Sequence, residues 1–136
     1  MNSLCDQTDP QISVIVPAYG VAHLLGEALD SLIAQDFTRW EAIVIDDGAP
    51  DDVASAVHPY LADPRIRFLA TANQGVSAAR NRAIAECRAP LVALLDGDDL
   101  FRPSYLATMV AEMNKDPAAV IVTCNARVFG AVAQED

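Results

Sequence analysis

Short apolar runs alternate along this chain with segments whose apolar residues recur at helical spacing. The runs are rich in β-branched residues and stop at proline, glycine or aspartate, which favours buried strands. Between residues 21 and 33 the apolar positions share one helical face, and Pro103 suits the first turn of a later helix. The predicted strands are 12–16, 42–45, 66–70, 91–95 and 119–124, with an extension of the last to Phe129 left open, and the predicted helices are 21–33, 52–61 (with Asp51 as its cap), 76–87 and 103–114.

Four repeats of strand and helix predict an α/β fold, a three-layer α/β/α sandwich with a mostly parallel, Rossmann-like sheet. The strands are continuous apolar runs, as is typical when helices cover both faces of a sheet. The 136 residues fit one domain, which we place at 11–136 after a polar segment at 1–10. Ligands of such sheets bind at the carboxyl ends of the strands, so the segments 17–19, 46–48 and 96–98 are expected to share one edge.

Composition and charge exclude several classes of partner. The net charge of −10 argues against binding to nucleic acid or to anionic membrane surfaces. The three cysteines are widely spaced and suit a reducing compartment. The N-terminal residues lack the basic and apolar regions of a signal peptide, and no apolar run approaches the roughly 20 residues of a transmembrane helix. These features predict a cytoplasmic protein with no nucleic-acid partner.

Three carboxylates stand within four residues, at Asp96, Asp98 and Asp99, directly after the predicted strand 91–95. Two unit charges about 4 Å apart repel by roughly 4 kcal/mol at an effective dielectric constant of about 20, and a cation or a bound proton relieves this repulsion. Mg²⁺ and Mn²⁺ favour such oxygen ligands and also bind phosphate oxygens, and Gly97 permits a close backbone approach. The pattern indicates a divalent metal site beside a phosphate-bearing ligand, although an acidic turn facing solvent would give the same pattern.

Two further features point to the same edge. Asp46 and Asp47 end the second predicted strand, where a carboxylate either binds a ligand or forms a turn with Gly48. On a helical wheel, Arg80 falls in the middle of an apolar face of the helix 76–87, where a charge needs an anionic partner. That partner is either an aspartate of the edge or a bound diphosphate. The other members of this face are Ala79, Ala83, Ile84 and Cys87.

Other kinds of site receive less support. The turn at 73–75 precedes a helix, where N–H groups suit an anion, although an ordinary turn is the simpler interpretation. The chain has neither GxGxxG nor GxxxxGK followed by Ser or Thr, so nicotinamide and P-loop sites are not predicted. An aspartate-dependent phosphatase usually has its DXD after the first strand, whereas here it follows the fourth. A phospho-accepting receiver domain needs a lysine at the end of the fifth strand, which Lys115 precedes. Both alternatives are therefore disfavoured.

Over residues 11–125 the chain resembles the nucleotide-sugar-binding half of family 2 glycosyltransferases of the GT-A fold. Four segments carry the resemblance in register: ISVIVPAYG at 12–20, WEAIVIDDG at 40–48, NQGVSAARNRA at 73–83 and LLDGDD at 94–99, with Pro103 and Leu106 after the last. The resemblance implies an enzyme that transfers a sugar from a nucleoside-diphosphate donor, usually UDP-linked, with inversion at the anomeric centre. It also implies a dependence on Mg²⁺ or Mn²⁺.

The same resemblance implies a role for individual residues. Those implied to bind the nucleotide sugar are Pro17, Ala18, Tyr19, Asp47, Arg80, Asp96 and Gly97. Among them, the segment 17–19 would line the nucleobase pocket, Asp47 would bind the base, and Asp96 would contact the ribose or the metal shell. Asp98 would ligate the Mg²⁺ or Mn²⁺ ion that binds the diphosphate.

The chain also departs from the family pattern. Gly20 stands where Asn is usual, and residues 49–52 lack the usual Ser and Thr. In the family, the acceptor site and the general base lie beyond these motifs, so the base and the acceptor are not assigned here. Donor binding is therefore the firmer expectation. A non-catalytic nucleotide-binding module, a fragment of a longer transferase, and a site completed by a second half or in a homo-oligomer remain open.

Overall fold

The elements of the fold follow the predicted alternation of strand and helix. In the computed structural model the described residues are 9–72 and 74–116, with two short strands at 127–128 and 134–135. The strands are β1 (Ile12–Pro17), β2 (Trp40–Asp46), β3 (Ile66–Ala70), β4 (Leu91–Leu94), β5 (Arg127–Val128) and β6 (Gln134–Glu135). The helices are α1 (Ala22–Ile33), α2 (Val53–Val57), α3 (Val76–Ala85), α4 (Tyr105–Lys115) and a 3₁₀ helix, His58–Ala62, directly after α2. The predicted strand 119–124 lies outside the described residues.

A four-stranded, all-parallel sheet in the order β3-β2-β1-β4 organises these elements. Strands β5 and β6 form a separate antiparallel pair. Because the four parallel strands run in one direction, their carboxyl ends meet at a single edge, called here the carboxyl edge. This edge carries the loops that follow Pro17, Asp46, Ala70 and Leu94. The predicted α/β class with a parallel sheet is confirmed.

Helices cover both faces of the sheet, which gives three layers. On one face α1, α2 and α4 pack on the strands through buried residues that include Leu29, Val57 and Leu106. On the other face α3 packs through Ala79 and Ala83 against isoleucines of β1 and β2. The inner strands β1 and β2 are thus buried from both sides, as their continuous apolar sequences predict. Within the described part of the chain, no helix has the length and apolarity needed to cross a membrane.

Strand β4 departs from the expectation that every strand is covered on both faces. Val92 and Leu94 are 46% and 49% exposed, and Ile84 of α3, which the helical wheel placed on a buried face, is 48% exposed. The register aligns Val92 with Ser13 and Leu94 with Ile15, so these side chains lie on the face that α3 covers. Since α3 packs over β1 and β2, it leaves this part of β4 open.

The helix predicted at 52–61 is shorter than expected and is capped by a different residue. Asp52 caps α2 by accepting hydrogen bonds from the N–H and the hydroxyl of Ser55, at 3.1 and 2.6 Å. Pro59 has no N–H to continue the α-helical ladder, and the chain passes into the 3₁₀ helix. Asp51, the cap expected from the sequence, instead accepts hydrogen bonds from the N–H of Gly20 in the loop after β1 and from the N–H of Ala22 at the start of α1.

A buried carboxylate anchors the opposite edge of the sheet, at the amino ends of the strands. Glu41 accepts hydrogen bonds from the Ser13 hydroxyl, from the N–H and Nε of Arg88 at 2.7 and 3.0 Å, and from Arg67 Nη2 at 3.1 Å. Burial acts to raise the pKa of Glu41, but the hydrogen bonds from Ser13 and Arg88 and the charge of Arg67 outweigh it and hold the pKa below its usual value. The charged side chain therefore links β1, β2 and β3.

Candidate functional site

A pocket opens at the carboxyl edge, between the ends of β1 and β2 and the helix α3. Its lining residues are Pro17, Ala18, Tyr19, Ile45, Asp47 and Ala79. Four of them are residues that the sequence placed in one site, while Ile45 and Ala79 add apolar wall. The topology explains this convergence, because β1 and β2 are neighbours that end at the same edge.

The loop after β1 is held against β2. The Ala18 N–H donates to the Ile45 carbonyl at 3.1 Å, which prolongs the parallel ladder past Pro17. Ala18 is buried, whereas Tyr19 is 51% exposed and forms an outer wall of the pocket. Gly20 follows with a φ of +74°, a conformation that glycine adopts at little cost, and the chain then turns into α1.

The two aspartates at the end of β2 have different partners. Asp46 accepts a hydrogen bond from the N–H three residues later, which stabilises the turn. Asp47 is buried, and its Oδ1 accepts from the Thr71 hydroxyl and the Gln74 N–H, both at 3.0 Å, while its Oδ2 accepts from the Gly75 N–H at 2.9 Å. The hydrogen bond from Gln74, aided by those from Thr71 and Gly75, lowers the pKa of Asp47, so this carboxyl group is ionised at neutral pH.

Asp47 is also the anion bound at the start of α3. The sequence left open whether the N–H groups at 73–75 bind a ligand or form an ordinary turn. In the structure the N–H groups of Gln74 and Gly75 donate to Asp47, so an anionic ligand would have to displace this carboxylate to use them. Asp47 thereby fixes the beginning of the helix that carries Arg80.

Arg80 reaches the acidic loop after β4, which is one of the two partners that its position on the helical wheel left open. Its Nη2 lies 3.9 Å from Oδ1 of Asp96, a loose ion pair in which the two side chains remain 40% and 53% exposed. Exposed pairs of this kind contribute about 0–1 kcal/mol. The Arg80 Nε is shielded from solvent and has no hydrogen-bond partner among the described residues. The guanidinium therefore pairs with an aspartate of the edge and keeps unused donor capacity.

The three aspartates of the loop after β4 form one cluster. A carboxylate oxygen from each of Asp96, Asp98 and Asp99 lies within 4.8 Å of the other two, and all three residues are exposed. Partial desolvation in the loop, together with the charges of Asp98 and Asp96, raises the pKa of Asp99. Clustered carboxylate oxygens are the ligands that Mg²⁺ and Mn²⁺ prefer, so this donor set fits a divalent cation. The family resemblance singled out Asp98, and the structure groups it with both neighbouring aspartates.

Gly97 ties the acidic loop to the pocket. It is buried, and its N–H donates to the Pro17 carbonyl at 3.0 Å. A Cβ atom at this position would lie 2.7 Å from Val21 Cγ2 and 3.1 Å from the Pro17 oxygen. Only a residue without a side chain fits this contact, which places the acidic cluster beside the segment 17–19.

We expect Gly97→Ala to lower the free energy of unfolding by about 1–3 kcal/mol, because the overpacked contact must be relieved by turning the Val21 side chain and shifting the Pro17 backbone. Chemical denaturation measures this loss. Gly20→Asn is the control, since a Cβ there meets nothing within 4 Å. Asn tolerates a positive φ better than most residues, so we expect a change below about 1 kcal/mol. Equal stability of Gly97→Ala and the wild type would show that the two loops do not touch as described.

Two residues that hold the site in place were not predicted from the sequence. Thr71 donates to Asp47. Gln35, buried after α1, accepts from the Leu106 N–H at 3.0 Å and donates to the Arg102 carbonyl at 2.7 Å, which fixes the segment after the acidic loop. Neither residue stands in a motif, and the partners that tie them to the site lie 24 to 71 residues away, so no local pattern reveals this role.

One protein family matches nearly the whole chain. Residues 13–135 match the family described as Glycosyl transferase family 2. This chain belongs to glycosyltransferase family 2. The resemblance carried by the four sequence segments is thereby confirmed over almost its full extent.

This family 2 glycosyltransferase chain is similar to several known proteins. It is 31% identical over 121 residues to the chondroitin synthase of Escherichia coli, across 88% of this chain and 18% of that protein. The structure of S. aureus TarS 1-349 in complex with UDP-GlcNAc matches with a TM-score of 0.71 and 28% identity, over 77% of this chain and 31% of that one. The mannosyltransferase PcManGT from Pyrobaculum calidifontis, in complex with GDP-Man and Mn²⁺, matches with a TM-score of 0.72 and 30% identity. This match covers 80% of this chain and 33% of that one. The chain therefore spans a third or less of the length of these three relatives.

Proposed function

We propose that residues 11–136 form a nucleotide-sugar-binding domain that takes a nucleoside-diphosphate sugar, with a UDP-linked donor favoured, and transfers the sugar with inversion. The observation that carries this proposal is the contact between Gly97 and Pro17, because it sets an acidic cluster beside a pocket with apolar walls and one buried carboxylate. A single site then offers a place for the base and another for the diphosphate. The acceptor and the general base are left unassigned.

The base is proposed to lie in the pocket formed by the segment 17–19 and Asp47. Ile45 and Ala79 would contact a flat ring, and the exposed face of Tyr19 would cover it. An ionised carboxylate offers about four acceptor positions. Asp47 uses three of them, so one remains for an N–H group of the base. Uracil and guanine both carry such a group, in keeping with the UDP-GlcNAc and GDP-Man bound by the two solved relatives, and the family resemblance favours uracil.

The diphosphate is proposed to lie between Arg80 and the acidic cluster. The Arg80 side chain is 40% exposed and its Nη2 pairs only loosely with Asp96, so the guanidinium can turn to phosphate oxygens at little cost. Asp98 would ligate Mg²⁺ or Mn²⁺, and Asp96 would contact the ribose or the metal shell. The Mn²⁺ in the related mannosyltransferase complex supports this choice of ion. When bound, such an ion neutralises negative charge on the departing nucleoside diphosphate.

Titration calorimetry of the chain with UDP and GDP, with and without Mn²⁺, tests the proposal. We expect UDP to bind, and Mn²⁺ to tighten its binding by at least about tenfold, or 1.4 kcal/mol. UMP is the matched control, because it keeps the base and ribose but lacks the diphosphate, and it should gain little from Mn²⁺. Binding of both nucleotides that is unchanged by the metal, or no binding of either, would contradict the proposal.

A turnover assay with UDP-GlcNAc and GDP-Man separates a transferase from a nucleotide-binding module. Release of UDP or GDP at a rate that depends on Mn²⁺ is the result expected of an enzyme. Tight binding without any turnover would favour the module, and would leave the donor site as proposed.

A further inference from the structure

The side chain of Asp51 joins two loops of the carboxyl edge. Its Oδ1 accepts a hydrogen bond from the Gly20 N–H at 3.1 Å, and its Oδ2 accepts one from the Ala22 N–H at 2.7 Å. The first loop follows β1 and the second follows β2, so the contact spans 29 to 31 residues of sequence. A single carboxylate therefore fixes the point at which the β1 loop enters α1.

Asp51 serves as an external cap for α1. Val21 stands at the N-cap position of this 12-residue helix and makes no side-chain capping hydrogen bond. The N–H of Ala22, with smaller contributions from the Gly20 N–H and the charge of His23, lowers the pKa of Asp51. The carboxylate is therefore charged at neutral pH and satisfies N–H groups at the positive end of the helix dipole.

Tyr19 lies between two anchored positions of the β1 loop. On one side the Ala18 N–H is bonded to the Ile45 carbonyl, and on the other side the Gly20 N–H is bonded to Asp51. Glycine at position 20 has more backbone freedom than the Asn usual in the family, and no side chain of its own to restrain the loop. Asp51 thus supplies the restraint on the Gly20 side of Tyr19.

We infer that Asp51 is a positioning residue that acts through Tyr19, setting the affinity for the nucleoside part of the donor and leaving the diphosphate and metal end unaffected. This inference rests on the proposed function, because it takes the pocket beside Tyr19 to be the nucleobase site. Asp51 is not among the residues that line the pocket, nor in the acidic cluster at 96–99. Its influence on the nucleoside would therefore be exerted through the loop.

The adjacent Asp52 provides a matched comparison. It is also a helix cap with a satisfied carboxylate, but it accepts its hydrogen bonds from Ser55 near the start of α2, whereas the Gly20 and Ala22 N–H groups donate to Asp51. If Asp51 only stabilised the fold, removing either aspartate would have the same consequence for binding. A positioning role requires the two variants to differ.

The experiment measures dissociation constants of the whole chain for UDP and for inorganic pyrophosphate, both in excess Mn²⁺, by calorimetry. For Asp51→Ala we expect the dissociation constant for UDP to rise by about tenfold, which corresponds to the loss of one charge-assisted hydrogen bond. The dissociation constant for pyrophosphate should change by less than about twofold. The affinity of Asp51→Asn for UDP should lie between those of the wild type and Asp51→Ala, because the amide oxygen keeps one acceptor. Asp52→Ala should change the affinity for either ligand by less than about twofold.

A double-mutant cycle shows whether Asp51 acts through Tyr19. In a Tyr19→Ala background, Asp51→Ala should cause no further loss of UDP binding. Additive losses would overturn the inference, as would equal weakening of UDP and pyrophosphate by Asp51→Ala. If that variant does not fold, Asp51→Asn decides by the same comparison of the two ligands. A wild-type chain that binds pyrophosphate with Mn²⁺ but neither UDP nor GDP would overturn the proposed function, and this inference with it.

Discussion

Replacing Asp98 with alanine is expected to weaken the Mn²⁺-dependent binding of UDP by at least about 100-fold. Residues that only support a metal ligand typically change metal affinity by about 10–100-fold, so a carboxylate that binds the ion directly should matter more. The substitution leaves the pocket around 17–19 and Asp47 intact, so UDP binding in the absence of Mn²⁺ should be unchanged. Calorimetric titration of UDP at a fixed excess of Mn²⁺ measures the effect.

Asp99→Asn is the matched control in the same cluster. Desolvation and the charges of Asp98 and Asp96 raise the pKa of Asp99, so removing its charge relieves repulsion among the three carboxylates. We expect UDP binding in Mn²⁺ to stay within about threefold of the wild type. If Asp99→Asn abolished the metal-dependent binding while Asp98→Ala retained it, the assignment of Asp98 as the metal ligand would be wrong.

Replacing Glu41 with alanine is expected to lower the free energy of unfolding by about 3 kcal/mol, and the thermal midpoint by roughly 10 °C in a domain of this size. The carboxylate side chain is 1% exposed, and its removal leaves the Arg88 N–H and the Ser13 hydroxyl without their acceptor. The side chains of Arg67 and Arg88 are 33% and 62% exposed, so water can hydrate them once Glu41 is gone. The expected loss of stability is therefore at the low end of the range for a broken buried ion pair. Thermal and denaturant unfolding measure it.

Two further variants isolate the role of the Glu41 charge. Glu112 forms an exposed ion pair with Lys115, and Glu112→Ala should change stability by less than about 1 kcal/mol. Glu41→Gln keeps the shape without the charge. Since the pKa of Glu41 is lower in the folded state, its charge stabilises the protein above the unfolded pKa, and this stability is lost as pH falls through the folded pKa. The wild type should therefore be more stable than Glu41→Gln at neutral pH, and the two free energies of unfolding should converge in acid. A stability difference that is independent of pH would contradict this.

The apolar runs predicted the sheet because a buried strand must present apolar side chains to helices on both faces. Strands β1 and β2 are buried in this way. The prediction of burial on both faces is wrong for β4, where Val92 and Leu94 are apolar and exposed, because their coverage depends on where α3 lies and not on the strand itself. The early end of α2 at Pro59 has a local cause and was readable in principle.

For the candidate site too, some features were predictable from the sequence and others were not. The rule that ligands bind at strand ends predicted that the segment 17–19 and Asp47 share one site, and the structure places them in one pocket. Helical periodicity predicted only that Arg80 needs an anionic partner, and the structure shows that Asp96 is that partner. The hydrogen-bond donors to Asp47 lie 24 to 28 residues away along the chain. Those to Asp51 lie 29 and 31 residues before it. Neither set of partners could be predicted from neighbouring residues.

By itself, the sequence determined the family, the class of fold and the edge of the sheet where the charged residues collect. These properties depend on residue type and periodicity along the chain. Only the tertiary structure decided that Asp47 binds the start of α3, that Asp51 holds the β1 loop, and that Gly97 brings the acidic cluster against Pro17. Each of these contacts joins groups from distant parts of the chain, and their relative positions are set by how the layers pack and not by any local pattern.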